Sequence, residues 1–254
     1  MRLYIASDFQ CSLGQLDKLS KSIKKTRPDL LIFCGNILVP GIMFQEWETA
    51  IREGRRARRN LPTIKEEIER GKNIFFQFFK TLSLTGVPGL IVPGDSDAPL
   101  QYLQDILKNF QPNLLYLHQD KIDWDNYMFL GYGGKIVENE GFVSEEHFAV
   151  YYPFSMLRYK FRKFKYSMYP KVFILNTPPF SNLDLDRSEQ HTGCKSINDL
   201  IVEFSPFLLL SGSANSRQGI DFVHNTWVIN PGSMKDGKFS LFDLENSEYY
   251  AESF

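Results

Sequence analysis

The chain lacks an excess of charge of either sign: 29 Lys and Arg stand against 30 Asp and Glu, a net −1 over 254 residues. That balance calls for neither nucleic acid nor an anionic membrane as partner, and neither is expected. Cysteine is scarce. Cys11, Cys34 and Cys194 are odd in number and lack metal-type spacing, which excludes a disulfide framework and fits a reduced compartment. Cys34 lies in an apolar run and is expected in the core. No apolar run approaches the ~20 residues that span a bilayer. The first run, Leu3–Ala6, is too short for the core of a leader, so a cytoplasmic protein is expected. Internal repeats and low-complexity linkers are also missing, and the chain reads as one domain over 1–254.

What is present is enough apolar material for a sizeable core: 43% of residues are hydrophobic and 23% charged, outside the range of disordered chains. Short apolar runs read as buried strands at Leu3–Ala6, Leu30–Cys34, Leu90–Val92, Tyr127–Leu130, Val172–Leu175, Phe207–Leu210, Thr226–Ile229 and Phe239–Leu241. Helical spacing falls between them, over Leu13–Lys25, Leu100–Asn109 and Ser196–Phe204. Strands alternating with helices predict an α/β layered fold. A charged stretch of about 40–72 reads as a helical insert running into a helix over Asn73–Leu82. Its Arg55–Arg59 cluster is read first as a solvated face or as ion pairs with Glu46, Glu48 and Glu53. Arg158–Lys165 alternates basic and aromatic residues. An amphipathic helix burying Leu157, Phe161 and Phe164 explains that pattern more simply than base stacking does.

Polar residues follow the strands. Asp8 and Gln10 come after the first, and Gly35 and Asn36 after the second. Gly94, Asp95, Ser96 and Asp97 follow the third, Asn176 the strand ending at Leu175, Gly212, Ser213 and Asn215 the next, and Asn230 the one after. Asp, Asn and Gly favour turns and caps wherever they occur. In α/β sheets, however, ligands bind beyond the carboxyl ends of strands, and such residues would converge on one pocket.

These blocks resemble, in order and over nearly the whole chain, those of the calcineurin-like metallophosphoesterases: D-x-H, G-D, G-N-H-D/E, a His often followed by Pro-Pro, and G-H-x-H. Here they read Asp8-Phe9-Gln10, Gly35-Asn36, Gly94-Asp95-Ser96-Asp97, Asn176-Thr177-Pro178-Pro179 and Gly212-Ser213-Ala214-Asn215. A closer resemblance is to a subgroup of phosphoesterase-like proteins with a charged helical insert after the second block, some of whose members also have eroded ligands. It implies a four-layer α/β/β/α sandwich with mixed sheets and a dimetal phosphoesterase site. It places His191 near the pocket.

The departures are heavy. Of the ligands that the resemblance implies, Asp8 alone is retained. Gln10, Asn36, Asn176, Ser213 and Asn215 stand for His, Asp, His, His and His. Asp95 replaces an Asn ligand, and Ser96 stands at the acid His position. Two dications ~3.5 Å apart repel by ~19 kcal/mol at an effective dielectric of ~20, which a bridging anion must offset. The neutral amide of Asn36 cannot supply that charge. No tightly bound cofactor is therefore expected. Asp8 and Asp95, with Gln10, Asn176 and water, would at most hold one weakly bound Mg or Mn. The sequence predicts a catalytically impaired or pseudo-enzymatic pocket for a small ligand or a protein. The alternative is a phosphoesterase with a remodelled oxygen-ligand Mg or Mn site. A third expectation makes the charged insert a homo-oligomer contact.

Overall fold

The structure is a computed structural model and describes residues 1–139, 146–186, 188–212 and 217–254. Along the chain come β1 (Arg2–Ala6), α1 (Leu16–Thr26), β2 (Leu30–Phe33), α2 (Ile42–Arg52), α3 (Pro62–Ser83), β3 (Gly89–Ile91) and α4 (Leu100–Leu107). Next are β4 (Leu114–Tyr116), β5 (Asp120–Trp124), β6 (Tyr127–Tyr132), β7 (Lys135–Val137), β8 (Tyr151–Pro153), α5 (Phe154–Phe161) and β9 (Lys171–Leu175). The chain ends with α6 (Ser196–Phe204), β10 (Leu208–Ser211), β11 (Gly219–Val223), β12 (Thr226–Asn230), β13 (Lys238–Asp243) and β14 (Glu248–Ser253).

The strands form two six-stranded sheets, ordered β14-β13-β1-β2-β3-β4 and β11-β12-β10-β9-β6-β5, with β7-β8 as a separate pair. Both sheets are mixed. β1 to β4 run parallel, as do β6, β9, β10 and β12, and the outer strands β13, β14, β5 and β11 pair antiparallel. The continuous apolar runs of the inner strands follow from burial on both faces. Leu3, Ile5, Ile32 and Leu90 of the first sheet pack against Phe129, Ile174, Leu208 and Ile229 of the second. The alternate residues face outward. Tyr4, Leu31 and Phe33 meet α1, α3 and α4, whereas Leu130, Phe173 and Leu209 meet α5 and α6. The result is the expected α/β/β/α layering.

The insert differs from expectation in one respect. Its second helix does not begin at Asn73; α3 runs unbroken from Pro62, which sits in the first turn where its missing N–H is harmless. No proline or turn residue after Pro62 stops it. The first half of α3 and α2 contribute Ile64, Met43 and Trp47 to the second sheet's outer layer. The second half contributes Phe75, Phe78, Phe79 and Leu82 to the first sheet's outer layer. α3 thus spans both. The arginine cluster forms ion pairs: Glu46 takes Arg55 at 2.5 Å and Arg58 at 2.9 Å, so the linker after α2 folds back on that helix. Helix α5 buries Leu157 and Phe161 as its spacing predicts, with Phe164 packed partly against the same layer.

Candidate functional site

Because the inner strands are parallel, their carboxyl ends open at one edge of the sandwich. The loops there are stitched together by backbone bonds. The Asp8 N–H donates to Gly35 O at 2.9 Å, Gln10 N–H to Asn36 O at 3.0 Å, and Cys11 N–H to Ile37 O at 2.9 Å. Holding this ladder requires left-handed backbone at Asp8 (φ 56°), Gln10 (φ 49°) and Asn36 (φ 65°). Asp and Asn tolerate this region best, and a Gln there is the kind of backbone exception found where a site is being held. The third loop presses against the second. A Cβ at Gly94 would stand 1.9 Å from Asn36 Oδ1, so only glycine fits.

The side chains satisfy one another. Asp8, fully buried, accepts the Ser7 hydroxyl on Oδ2 at 2.8 Å and the Asn36 amide on Oδ1 at 2.9 Å. Asp97, also fully buried, accepts three backbone N–H groups: Asn36 and Gly94 on Oδ2 at 3.0 and 2.7 Å, and Leu38 on Oδ1 at 2.8 Å. It does not cap α4, whose N-cap is Pro99 and has no side-chain hydrogen bond. Instead it ties the second and third loops together. Burial pushes its carboxyl up to about 7, against the pull of the Leu38 and Gly94 N–H groups. Asn176 joins the sheets. Its Nδ2 donates to Cys34 O at 2.9 Å, and its Oδ1 accepts the Asp95 N–H at 3.2 Å. Asp95 accepts the Ser96 hydroxyl at 3.1 Å. Burial raises the Asp95 carboxyl above its ordinary range, with the Lys135 charge opposing. Among the described residues, Asn36 Oδ1 is buried with no hydrogen-bond partner.

The structure therefore brings Asp8, Gln10, Asn36, Asp95, Ser96, Asp97 and Asn176 to one edge. Ser213 and Asn215 lie outside the described residues. Among the described residues, no group of three or more His, Cys, Asp and Glu side chains is placed to hold a metal ion. Sequence reasoning missed Lys135. It follows a glycine pair whose role is close packing, since a Cβ at Gly133 would stand 2.2 Å from Pro93 O. Its Nζ donates to Thr192 O at 2.6 Å, and the Asp95 charge acts on it. Sequence reasoning also missed the partner of His191. Its Nδ1 lies 2.7 Å from Oδ1 of the fully buried Asp184. Only a charged residue straight after Gly133-Gly134 could have signalled the first, and nothing in the spacing signalled the second.

One solved crystal structure is 28% identical over all of this chain and 98% of its own, with a TM-score of 0.90. TT1561 of Thermus thermophilus is 23% identical over 99% and 98% of the two chains, with a TM-score of 0.77. A dimetal phosphatase from Danio rerio shares the fold at 10% identity, over 95% and 91%, with a TM-score of 0.58. No curated protein matches the sequence. The family model described as metallophosphoesterase, calcineurin superfamily, matches residues 1–254. With its two mixed sheets and its strand-end blocks in order, this chain belongs to the calcineurin-like metallophosphoesterase superfamily.

Proposed function

We propose that this protein keeps the phosphoesterase fold as a pseudo-enzyme whose strand-end pocket holds a small ligand or a protein without metal-dependent hydrolysis. One observation carries the reading. At the position where the family resemblance implies a bridging carboxylate, the Asn36 amide donates a hydrogen bond to Asp8. A dication needs lone pairs turned toward it, and an N–H turned toward the carboxylate takes the cation's place. The other groups follow suit, since Asn176 is engaged through both ends of its amide and Asp97 through both oxygens. This donor set does not fit a dinuclear metal pair, which needs an anion between the ions.

The second reading is one weak Mg or Mn held by Asp8 and Asp95. The partnerless Asn36 Oδ1 favours it, as an oxygen donor that a hard cation accepts. A calorimetric titration of chelator-treated protein with Mn separates the two. The pseudo-enzyme reading expects no two-site binding, and phosphodiester hydrolysis no faster than in Asp8→Ala. Micromolar binding at two sites, with hydrolysis above that control, would overturn it. Single-site binding lost in Asp8→Ala would establish the second reading.

A further inference from the structure

The balanced charge of the whole chain hides a local imbalance. Between Glu146 and Asp184 the sequence has no Asp or Glu, and six Lys and Arg. Five of the six fall within Arg158–Lys165, on α5 and the turn after it. α5 buries Leu157 and Phe161, which leaves Met156 and Tyr159 exposed on the helix, with Arg162 and Lys163 exposed on the turn. One acid reaches this face: Glu203 of α6 pairs with Arg158 at 2.7 Å and with Lys165 at 3.4 Å. Among the described residues, Lys160, Arg162 and Lys163 have no ion pair. Arg158, Tyr159 and Arg162 line an open recess of about 440 Å³ with Phe154, Ser155 and Glu203.

Apolar side chains stand out among these cations. The turn is held by its own backbone, Lys165 N–H donating to Arg162 O and Ser167 N–H to Phe164 O, each at 3.3 Å. Phe164 anchors it, packed partly against the second sheet's outer layer. The side chains just past the turn are left outside: Tyr166 is 87% and Met168 97% exposed. Of the partners that an exposed cationic face can take, two fit poorly. A base needs an open ring to stack on, but the Arg162 guanidinium already lies over Tyr159 at 4.3 Å and the Lys165 ammonium over Tyr166 at 5.8 Å. A second copy seated on the same face about a two-fold axis would set cations against cations. An anionic lipid surface suits both kinds of side chain. Its phosphates meet the Lys and Arg heads, and its interfacial layer takes Tyr and Met.

We propose that the outward face of α5 and the turn after it form a peripheral contact with an anionic phospholipid surface. Lys160, Arg162 and Lys163 meet headgroup phosphates, while Tyr166 and Met168 enter the interface between them. The contact is reversible and salt-sensitive, as expected for exposed charges. It uses none of the strand-end residues and stands whether or not that pocket hydrolyses a substrate. It revises the expectation, drawn from net charge, that no membrane is a partner. Net charge averages over the whole surface, whereas a bilayer meets one face.

The test mixes the full chain with sedimentable phosphatidylcholine vesicles, with and without about a third of phosphatidylserine, and measures the bound fraction. Binding to the anionic vesicles is expected, little to the neutral ones, with a steep fall as salt is raised. Arg162→Gln combined with Lys163→Gln should weaken binding about thirtyfold, the ~2 kcal/mol of two basic side chains at an anionic surface. Tyr166→Ser combined with Met168→Ser should weaken it about tenfold or more at unchanged charge. All four side chains are exposed and outside the ion pairs described, so circular dichroism should match the wild type. Absence of binding to anionic vesicles at low salt overturns the proposal, as does equal binding to both compositions or wild-type affinity in both double variants. A single-stranded oligonucleotide that binds more tightly than the vesicles, and is lost in the charge variant, overturns it in favour of nucleic acid. A dimer seen by light scattering and abolished by either double variant overturns it in favour of a second copy.

Discussion

His118 is held neutral by burial, and its neighbours fix the tautomer. Gly133 N–H donates to its Nδ1 at 2.9 Å, which places the ring proton on Nε2, 3.1 Å from the Tyr152 hydroxyl. That hydroxyl in turn donates to Glu146. Burial pushes the imidazole down to about 3. The unfolded chain takes up this proton below about pH 6.5, and the folded chain does so only near 3. The group's contribution to stability is therefore complete above about 6.5 and is lost as pH falls toward 3. Unfolding free energies from denaturant titrations down this window should fall by up to ~1.4 kcal/mol per pH unit on its account. In His118→Gln that part of the slope should vanish. A second change concerns Asn36. Asn36→Asp sets a carboxylate against Asp8 and should destabilise the metal-free protein by about 3 kcal/mol, the scale of an unpaired buried charge. Its unfolding midpoint should stay low when Mn is added, because Gln10 and Asn176 still offer amides. At this scale the sequence is legible where a side chain ends a strand, as with Asp8, Asn36 and Asn176. It is silent where the partners meet only through the folded loop, as with Asp184 and His191 or Lys135 and Thr192.

Elements are legible in proportion to how fully they are buried. Seven of the eight parallel strands, all but β4, announce themselves as apolar runs, as does β13 beside β1, and all eight runs read from the sequence are strands. β5, with Asp120, Lys121 and Asp123, and β14, with Glu248 and Glu252, are sheet edges wetted on one side, and their alternating polar residues look like turns. α3 reads short in the sequence because its first half carries Lys65, Glu66 and Glu69 on the solvent side, which masks Ile64 beneath. The linker between α2 and α3 depends on Glu46, which accepts Arg55, Arg58 and the Arg58 N–H. Those guanidiniums hold the Glu46 carboxyl well below the ordinary range, so its contribution is present at neutral pH and lost in acid. Glu46→Ala should expose the linker to limited proteolysis near Arg55–Arg59 while β-sheet circular dichroism is unchanged.

In the whole molecule, the two sheets meet at the strand-end edge through the Asn176 amide, which donates to Cys34 O and accepts the Asp95 N–H. A fold stabilised there by bound metal gains stability by mass action when metal is supplied and loses it to chelators. This one should melt at the same temperature, within about a degree, with chelator and with excess Mn. Scanning calorimetry under both conditions checks this, and a large shift would place metal back at the site. Among the described residues no helix is long and apolar enough to cross a membrane. The global architecture was legible because the order of blocks along the chain repeats the order of strand ends around the pocket.

If the site is the degenerate one proposed above, the bond between Asn36 and Asp8 has a historical consequence. Any lineage that reached this arrangement has made its return improbable one step at a time. Restoring the acid at position 36 alone breaks a satisfied pair and gains no ion, because Gln10 and Asn176 still offer amides. Restoring imidazole at position 10 or 176 alone gains one ligand for a cation that has no bridge. Each reversion is a loss by itself and a gain only in company, so the route back crosses a valley of less stable proteins. Asn36→Asp combined with Gln10→His and Asn176→His should bind Mn more tightly than the three single changes add up to.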